Sequence, residues 1–193
     1  RMARSPVLIL DFGSQVTQLI ARRIREMHVY CEIHPCTLAF DAIREMKPSA
    51  VILSGGPASV YGEGSPTTDA RVFDLGVPVL GICYGMQLAC KLFGGSVKNS
   101  TEREFGRQNL SVRDRSDLFA AVPEKTTVWM SHGDKVTEVD RSGFEPLAST
   151  PTCEYAAVRS TTKARRFYGV QFHPEVTHTP HGTELINNFV YEI

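Results

Sequence analysis

The sequence predicts a three-layer α/β domain, in which a largely parallel central sheet is flanked by helices and carries a small antiparallel addition. Short apolar runs alternate with helical patterns in the first half of the chain, which is typical of strand–helix–strand units with right-handed crossovers. The second half is richer in strand patterns, which predicts the antiparallel part. The 193 residues show no internal repeat or linker, so we expect one domain over residues 6–193.

The first half predicts four strands, each followed by a helix. The strands are "VLILDFG", "VYCEIHP", "AVILSGGP" and "VPVLGIC", and the apolar runs of the first and third fit strands covered on both faces. The first helix has Ser14 as its expected N-cap and an apolar stripe of Val16, Leu19, Ile20, Ile24 and Met27. The other helices are expected at residues 40–46, 67–75 and 84–93.

The second half predicts six strands and a closing helix. The strands are "GSVK", "NLSVRD", "TTVWMSHGD", "FEPLAS", "YAAVRS" and "FYGVQFHP". The helix begins near His181 and carries Leu185, Ile186, Phe189 and Val190. The charged segment from Lys98 to Arg115 is interpreted either as a solvated surface or as a docking face for a partner domain.

The composition excludes several classes of partner. Lys plus Arg and Asp plus Glu number 21 each, so no global field draws the chain to nucleic acid or to an acidic membrane surface. No stretch reaches the ~18 uncharged apolar residues that a membrane span requires. Five cysteines, an odd number at uneven spacing, favour reduced thiols and a cytoplasmic location over a disulfide framework.

Cys83 lies between two glycines at a predicted strand-to-helix junction. Gly81-Ile82-Cys83-Tyr84-Gly85 has the G-x-S-x-G spacing of a nucleophile elbow, with sulfur in place of oxygen. Such an elbow holds its nucleophile in a strained conformation, and the N-terminus of the next helix favours the thiolate. The alternative is a buried filler, which is the interpretation for the other cysteines, Cys31, Cys36, Cys90 and Cys153.

A nucleophilic thiol needs a base, and "YGVQFHPEV" offers one. If the strand continues through Phe172, the side chains of His173 and Glu175 project to the same side, so Glu175 orients the imidazole. Taken alone, the His-Pro-Glu sequence is also compatible with a surface turn. The oxyanion then needs two donors, the N–H of Tyr84 and an N–H of the "LSGGP" segment such as that of Gly56.

Together these motifs resemble the class I (triad) glutamine amidotransferases, and among them the glutaminase domains of GMP synthetases. The resemblance runs nearly from end to end, through "LILDFGSQ", "SGGPASVY", "GICYGMQ", "SHGDKV" and "GVQFHPEV". It implies that Cys83 is the nucleophile, His173 the base and Glu175 its orienting group. It also implies that Gly56 and Tyr84 form the oxyanion hole, and that a glutamine pocket is lined by Gln87, Ser131, His132, Gly133 and Asp134.

The same resemblance implies a partner but no cofactor in this domain. The ATP and Mg of such enzymes belong to an ATP-pyrophosphatase (synthetase) domain or subunit that aminates XMP, and that part lies outside this chain. "SGGPAS" nearly matches a pyrophosphate-binding loop, but Ala58 replaces the required Asp and Pro57 removes an N–H, so no ATP site is expected here. A metal site at His173, His178 and His181 is disfavoured relative to an exposed loop.

Three alternatives remain open. The ammonia could serve another acceptor, as in the synthesis of anthranilate, aminodeoxychorismate or CTP. The chain could be a non-catalytic glutamine-sensing module, although the intact Cys83, His173 and Glu175 disfavour this. A different cysteine hydrolase with the same elbow ranks last, because it is expected to lack the His-Pro-Glu sequence. For an amidotransferase, we expect low activity from the chain in isolation.

Overall fold

The chain forms one nine-stranded sheet in the computed structural model, which describes residues 5–140 and 143–193, without the side chains of residues 100–104, 132 and 192. The strands are β1 Val7–Asp11, β2 Cys31–Pro35, β3 Ala50–Leu53, β4 Val79–Ile82, β5 Ser96–Val112, β6 Lys125–Glu138, β7 Phe144–Thr150, β8 Cys153–Ser160 and β9 Phe167–Val170. Their order across the sheet is β2-β1-β3-β4-β9-β8-β7-β5-β6.

The sheet confirms the predicted fold class. The five strands from β2 to β9 are parallel, and every pair from β9 to β6 is antiparallel. The antiparallel strands continue the same sheet. The two predicted strands "GSVK" and "NLSVRD" are parts of the single 17-residue β5, which pairs with β6 and has an irregular register between Asn99 and Glu104. Most of the charged segment from Lys98 to Arg115 lies on this strand.

Four α-helices accompany the sheet: α1 Thr17–Glu26, α2 Phe40–Met46, α3 Tyr84–Leu92 and α4 Gly182–Asn187. The helix predicted at 67–75 is only a 3₁₀ helix, Ala70–Asp74, and a π-helical turn, Asn188–Glu192, follows α4. Ser14 does not cap α1, because the helix starts three residues later. Its hydroxyl instead accepts the N–H of Val16 at 3.1 Å, which fixes the turn before the helix.

The inner parallel strands β1, β3, β4 and β9 are buried on both faces, whereas β2 at the edge of the sheet is only partly buried. Along β1, Val7 and Ile9 belong to a core with α1 and α4, whereas Leu8 and Leu10 belong to a second core with α2 and α3. This division gives the three layers. Within the described residues, none of the helices has the length and apolarity needed to cross a membrane.

The topology brings three strand ends together. In the parallel register, Leu53 of β3 pairs with Gly81 of β4, and Ile82 pairs with Val170 of β9. The chain segments that leave β3, β4 and β9 at their carboxyl ends therefore emerge side by side. Open α/β sheets bind ligands at this edge.

Candidate active site

The turn at Cys83 is a strained elbow between β4 and α3. Cys83 has φ 49° and ψ −106°, a left-handed conformation that is rare for a residue with a side chain. A Cβ on Gly81 would lie 2.7 Å from the main-chain nitrogen of Met86, and a Cβ on Gly85 2.6 Å from the main-chain oxygen of Leu53. Neither flanking position can therefore hold a side chain without displacing backbone.

His173 lies within reach of the sulfur. Its Nε2 is 3.5 Å from Sγ of Cys83, and its Nδ1 is 2.6 Å from Oε1 of Glu175. The sulfur also lies 3.1 Å from the main-chain oxygen of Gln171, which the thiol can use as an acceptor. The structure thus brings together the three residues that the sequence pattern singled out.

The prediction of how His173 and Glu175 meet was wrong. The strand β9 ends at Val170 and does not continue through Phe172, so the alternation of side chains along a strand does not explain the contact. The segment instead bends away from the sheet, and Pro174, which has no N–H, suits this departure from the ladder. The main-chain N–H of His173 donates to the oxygen of Trp129 on β6 at 3.0 Å.

The carboxylate of Glu175 is almost completely buried, with 1% of the residue exposed. Burial of the imidazole acts to lower the pKa of His173, but the charge of an ionised Cys83 and the hydrogen bonds with Cys83 and Glu175 outweigh it. The net result is a raised pKa for His173. The arrangement therefore favours a protonated imidazole between the sulfur of Cys83 and the carboxyl group of Glu175.

Two main-chain N–H groups border the space in front of the sulfur. Tyr84 is the first residue of α3, so its N–H has no partner inside the helix. Gly56 lies at the same cavity, and a Cβ there would be 2.4 Å from the main-chain oxygen of Phe12. None of the hydrogen bonds among the described residues uses the N–H of Gly56. Gly56 and Tyr84 thus both line the cavity that contains the sulfur of Cys83.

The cavity beside Cys83 has a volume of about 600 Å³ and suits a small polar molecule. The members of the predicted glutamine pocket that line it are Gln87, Ser131, Gly133 and Asp134. Gln87 is buried and donates from Nε2 to the main-chain oxygen of Asp134 at 3.1 Å, so it also braces the cavity wall. The side chain of His132, the remaining predicted pocket residue, lies outside the described part of the chain.

The other candidate residues have local structural partners. Burial raises the pKa of Cys90 to about 12, which makes its thiol unreactive at neutral pH. His178 stacks on Trp129 with ring centroids 4.7 Å apart, and His181 faces Glu184 at 3.5 Å. Over the described ranges, no group of three or more His, Cys, Asp or Glu residues could hold a metal ion.

Comparison with known proteins is consistent with this geometry. The family model described as "Glutamine amidotransferase class-I" matches residues 8–193. The chain belongs to the class I glutamine amidotransferase family. Among curated relatives of this amidotransferase is the glutamine-hydrolyzing GMP synthase of Staphylococcus aureus strain JH9, which is 54% identical over 187 residues. That alignment covers 97% of this chain and 36% of the relative, so the amidotransferase spans little more than a third of the curated relatives it matches.

Solved structures show the same fold. A putative GMP synthase subunit from Thermoplasma acidophilum superposes on the amidotransferase with a TM-score of 0.83 at 29% identity, covering 98% of this chain and 94% of that one. A glutamine amidotransferase from Thermotoga maritima superposes with a TM-score of 0.71 at 21% identity, covering 90% of this chain and 77% of that one, which supports the fold alone.

Sequence reasoning missed the residues of the amidotransferase that hold His173 in place. Trp129 and Thr179 both bond to the backbone of His173. Neither residue lies at a spacing typical of catalysis, so no local signal in the sequence indicates its role. Phe105 at the cavity rim, which is 60% exposed, was likewise not singled out.

Proposed function

We propose that residues 6–193 form the glutaminase domain of a GMP synthase, which hydrolyses glutamine and supplies the ammonia that aminates XMP. The observation that carries this proposal is the relay at the elbow, in which Cys83, His173 and Glu175 lie 3.5 and 2.6 Å apart. The 54% identity to a glutamine-hydrolyzing GMP synthase supports the choice of acceptor.

The first half of the reaction acylates the sulfur. The thiolate of Cys83 attacks the side-chain amide carbon of glutamine, and the N–H groups of Gly56 and Tyr84 stabilise the negative oxygen of the tetrahedral intermediate. The protonated imidazole of His173 gives its proton to the amide nitrogen, the carbon–nitrogen bond breaks and ammonia leaves. A glutamyl thioester remains on Cys83.

The second half regenerates the enzyme. The imidazole of His173, now neutral, takes a proton from a water molecule that attacks the thioester carbon. The same two N–H groups stabilise the second tetrahedral intermediate, which releases glutamate and the Cys83 sulfur. Glu175 keeps Nδ1 of the imidazole protonated and stabilises its cationic form in both halves.

The domain itself uses no cofactor in this scheme. ATP and Mg would act in an ATP-pyrophosphatase domain or subunit, where they activate XMP for attack by ammonia. Both a separate GMP synthase subunit and much longer GMP synthases are similar to this chain, which supports such a partner in either form. The five free cysteines favour a reducing, cytoplasmic location.

Labelling with a glutamine-like chloroketone tests the nucleophile. We expect mass spectrometry to find one adduct, on Cys83, and no adduct on the Cys83→Ala variant. Cys90→Ala is the matched control, since Cys90 also lies on this elbow's helix but has a buried thiol. A label on Cys90, or no label on the wild-type protein, would contradict the proposed chemistry.

Complementation tests the acceptor. The gene for the complete protein should support growth of a guanine auxotroph that lacks GMP synthase. The Cys83→Ala version should do so only when ammonium is supplied in excess, because free ammonia replaces the glutaminase product. Failure of the wild-type gene, together with rescue of an anthranilate or CTP auxotroph, would assign a different acceptor.

A further inference from the structure

Ser54 is a buried polar residue directly beside the oxyanion hole. It follows the last residue of β3, and none of it is exposed. Its hydroxyl oxygen accepts the main-chain N–H of Phe12 at 2.9 Å, and the hydroxyl donates to the main-chain oxygen of Gly55 at 2.9 Å. The hydroxyl thereby uses both its donor and one acceptor position on backbone groups of two neighbouring loops.

The second of these bonds fixes the direction of the oxyanion donor. The oxygen of Gly55 and the N–H of Gly56 belong to the same planar trans peptide, so they point in opposite directions. Because Ser54 holds the oxygen on the buried side, the N–H of Gly56 faces the other side of the peptide. Gly56 lines the cavity there, together with Cys83 and Tyr84.

This peptide packs closely against neighbouring groups, since a Cβ on Gly56 would lie 2.4 Å from the main-chain oxygen of Phe12. Both of its residues are glycines, which can adopt conformations that other residues cannot. The peptide is also next to the reacting groups, since a Cβ built on Gly55 would lie 3.5 Å from both Cβ of Cys83 and Cε1 of His173. A reversed peptide would present the oxygen of Gly55 where the negative oxygen of the intermediate forms.

We propose that Ser54 is a positioning residue, whose hydroxyl holds the Gly55–Gly56 peptide with its N–H directed at the cavity, so that the oxyanion hole is formed before glutamine binds. This inference rests on the proposed glutaminase function. It concerns orientation of the donor, since Ser54 is fully buried and is not among the residues that line the cavity.

The test compares Ser54→Ala with wild type in the complete protein, with the synthetase part, ATP and XMP all present. We expect kcat for glutamine hydrolysis to fall by about 10²-fold, within the range of about 10²–10³ that the loss of one oxyanion donor typically causes. The KM for glutamine should change by no more than about twofold, because the interaction is made in the transition state.

The rate of alkylation of Cys83 by iodoacetamide shows whether Ser54→Ala lowers kcat by reorienting the Gly55–Gly56 peptide or by making the Cys83 thiol less reactive. This displacement at a saturated carbon forms no oxyanion, so its rate at Cys83 should be the same in wild type and Ser54→Ala. The matched control is Ser49→Ala. Ser49 directly precedes β3, and its hydroxyl donates to the main-chain oxygen of Pro6 at 3.3 Å. This variant should leave both rates unchanged. Should Ser54→Ala not fold, Ser54→Cys keeps a similar volume with a weaker donor and should show the same split.

An unchanged kcat in Ser54→Ala, or equal losses in hydrolysis and alkylation, would overturn the inference. A crystal structure of the variant gives a readout that does not depend on activity, because the Gly55–Gly56 peptide should be reversed or present in two orientations. A peptide that keeps its wild-type orientation would also overturn it. Absence of glutamine hydrolysis in the wild-type complex would contradict the proposed function. The role of Ser54 would then be tested only by the orientation of the Gly55–Gly56 peptide in the crystal structure of Ser54→Ala.

Discussion

Thr179 donates its side-chain hydroxyl to the main-chain oxygen of His173 at 2.6 Å. The same hydroxyl oxygen accepts the N–H of Trp129 at 3.0 Å, and the N–H of His173 donates to the oxygen of Trp129, also at 3.0 Å. Because β9 has already ended at Val170, these bonds replace a strand ladder in fixing the imidazole against β6. The position of the proposed base therefore depends on a threonine outside the triad.

Replacement of Thr179 by valine, which has nearly the same shape, should displace His173. The N–H of Trp129 and the oxygen of His173 would lose a partner in a buried site, which costs about 1–3 kcal/mol of unfolding free energy. We expect kcat for glutamine hydrolysis to fall at least about tenfold, because the acid–base group is misplaced. Steady-state kinetics and urea unfolding measure the two effects.

Thr137→Val is the control for this change. Like Thr179, Thr137 donates its hydroxyl to a main-chain oxygen, that of Ser96 on β5, at 3.4 Å. It lies at the opposite end of β6 from Trp129. It should leave kcat unchanged. Equal kcat values for Thr179→Val and wild type would show that the loop holds its shape without the threonine.

Replacement of Glu175 by glutamine should lower the pKa of His173. The carboxylate raises this pKa through its hydrogen bond and its charge, and glutamine retains the shape but not the charge. NMR titration of the His173 ring should therefore show a lower pKa in Glu175→Gln. We also expect kcat to fall by about 10²-fold or more, since the tautomer and the cation are no longer stabilised.

The same substitution predicts a pH dependence of stability. A histidine whose pKa is raised in the folded state stabilises the fold fully below the pKa of the unfolded chain, about 6.5, and this stabilisation is lost as the pH rises toward the folded value. The unfolding free energy of wild type should thus exceed that of Glu175→Gln most near pH 6 and progressively less at alkaline pH. Glu184→Gln, which removes a carboxylate that faces a different imidazole, is the matched control.

Replacement of Gly85 by alanine should destabilise the elbow. The new methyl group would lie 2.6 Å from both Cβ and the main-chain oxygen of Leu53, so β3 or α3 must move. Overpacking of this kind costs about 1–3 kcal/mol, and displacement of Cys83 should abolish labelling by the chloroketone. Gly143→Ala, where the nearest atom is 3.6 Å away, should retain wild-type stability in urea unfolding.

Replacement of Tyr84 by phenylalanine should loosen the loop that follows Gly56. The hydroxyl of Tyr84 donates to the main-chain oxygen of Pro66, while its ring packs near Phe12 with centroids 5.5 Å apart. The variant keeps the ring and loses one hydrogen bond, which contributes about 0.5–1.5 kcal/mol. We expect faster hydrogen exchange of the main-chain amides of residues 61–65. Tyr191→Phe, which removes an exposed hydroxyl that donates to the main-chain oxygen of Met27, is the control and should not change this exchange.

Local patterns in the sequence were sufficient for the elbow and for most of the parallel half. The run Val7–Asp11 is a strand because both faces are covered, and Phe40–Met46 is a helix with the predicted bounds. Cys83 was identified because glycine is required on both sides of it. A side chain on Gly81 would meet the backbone of the following helix, and one on Gly85 would meet Leu53 of the neighbouring strand. Such local requirements produce a sequence motif with fixed spacing, which can be recognised without knowledge of the structure.

Features that depend on distant partners could not be predicted in the same way. The middle of β5 is largely polar, so no apolar alternation predicted a strand there, and its pairing with β6 is irregular between Asn99 and Glu104. The loop after Val170 is held by Trp129 and Thr179, and no local pattern indicates where a chain will find such partners. Ser54 stood within a recognised motif, but its role depends on which backbone groups surround it.

The register between β4 and β9 has a consequence for how the domain tolerates change. Ile82 pairs with Val170, and the N–H of Cys83 extends that ladder by donating to the oxygen of Val170 at 2.8 Å. The sheet register thus brings the chain segments that carry Cys83 and His173 together, although 90 positions separate the two residues in the sequence. Extra residues inserted after Lys163, in the exposed turn before β9, should therefore leave glutamine hydrolysis intact. Deletion of one residue from β9 should instead shift the imidazole of His173 by about 3.3 Å along the strand and abolish hydrolysis.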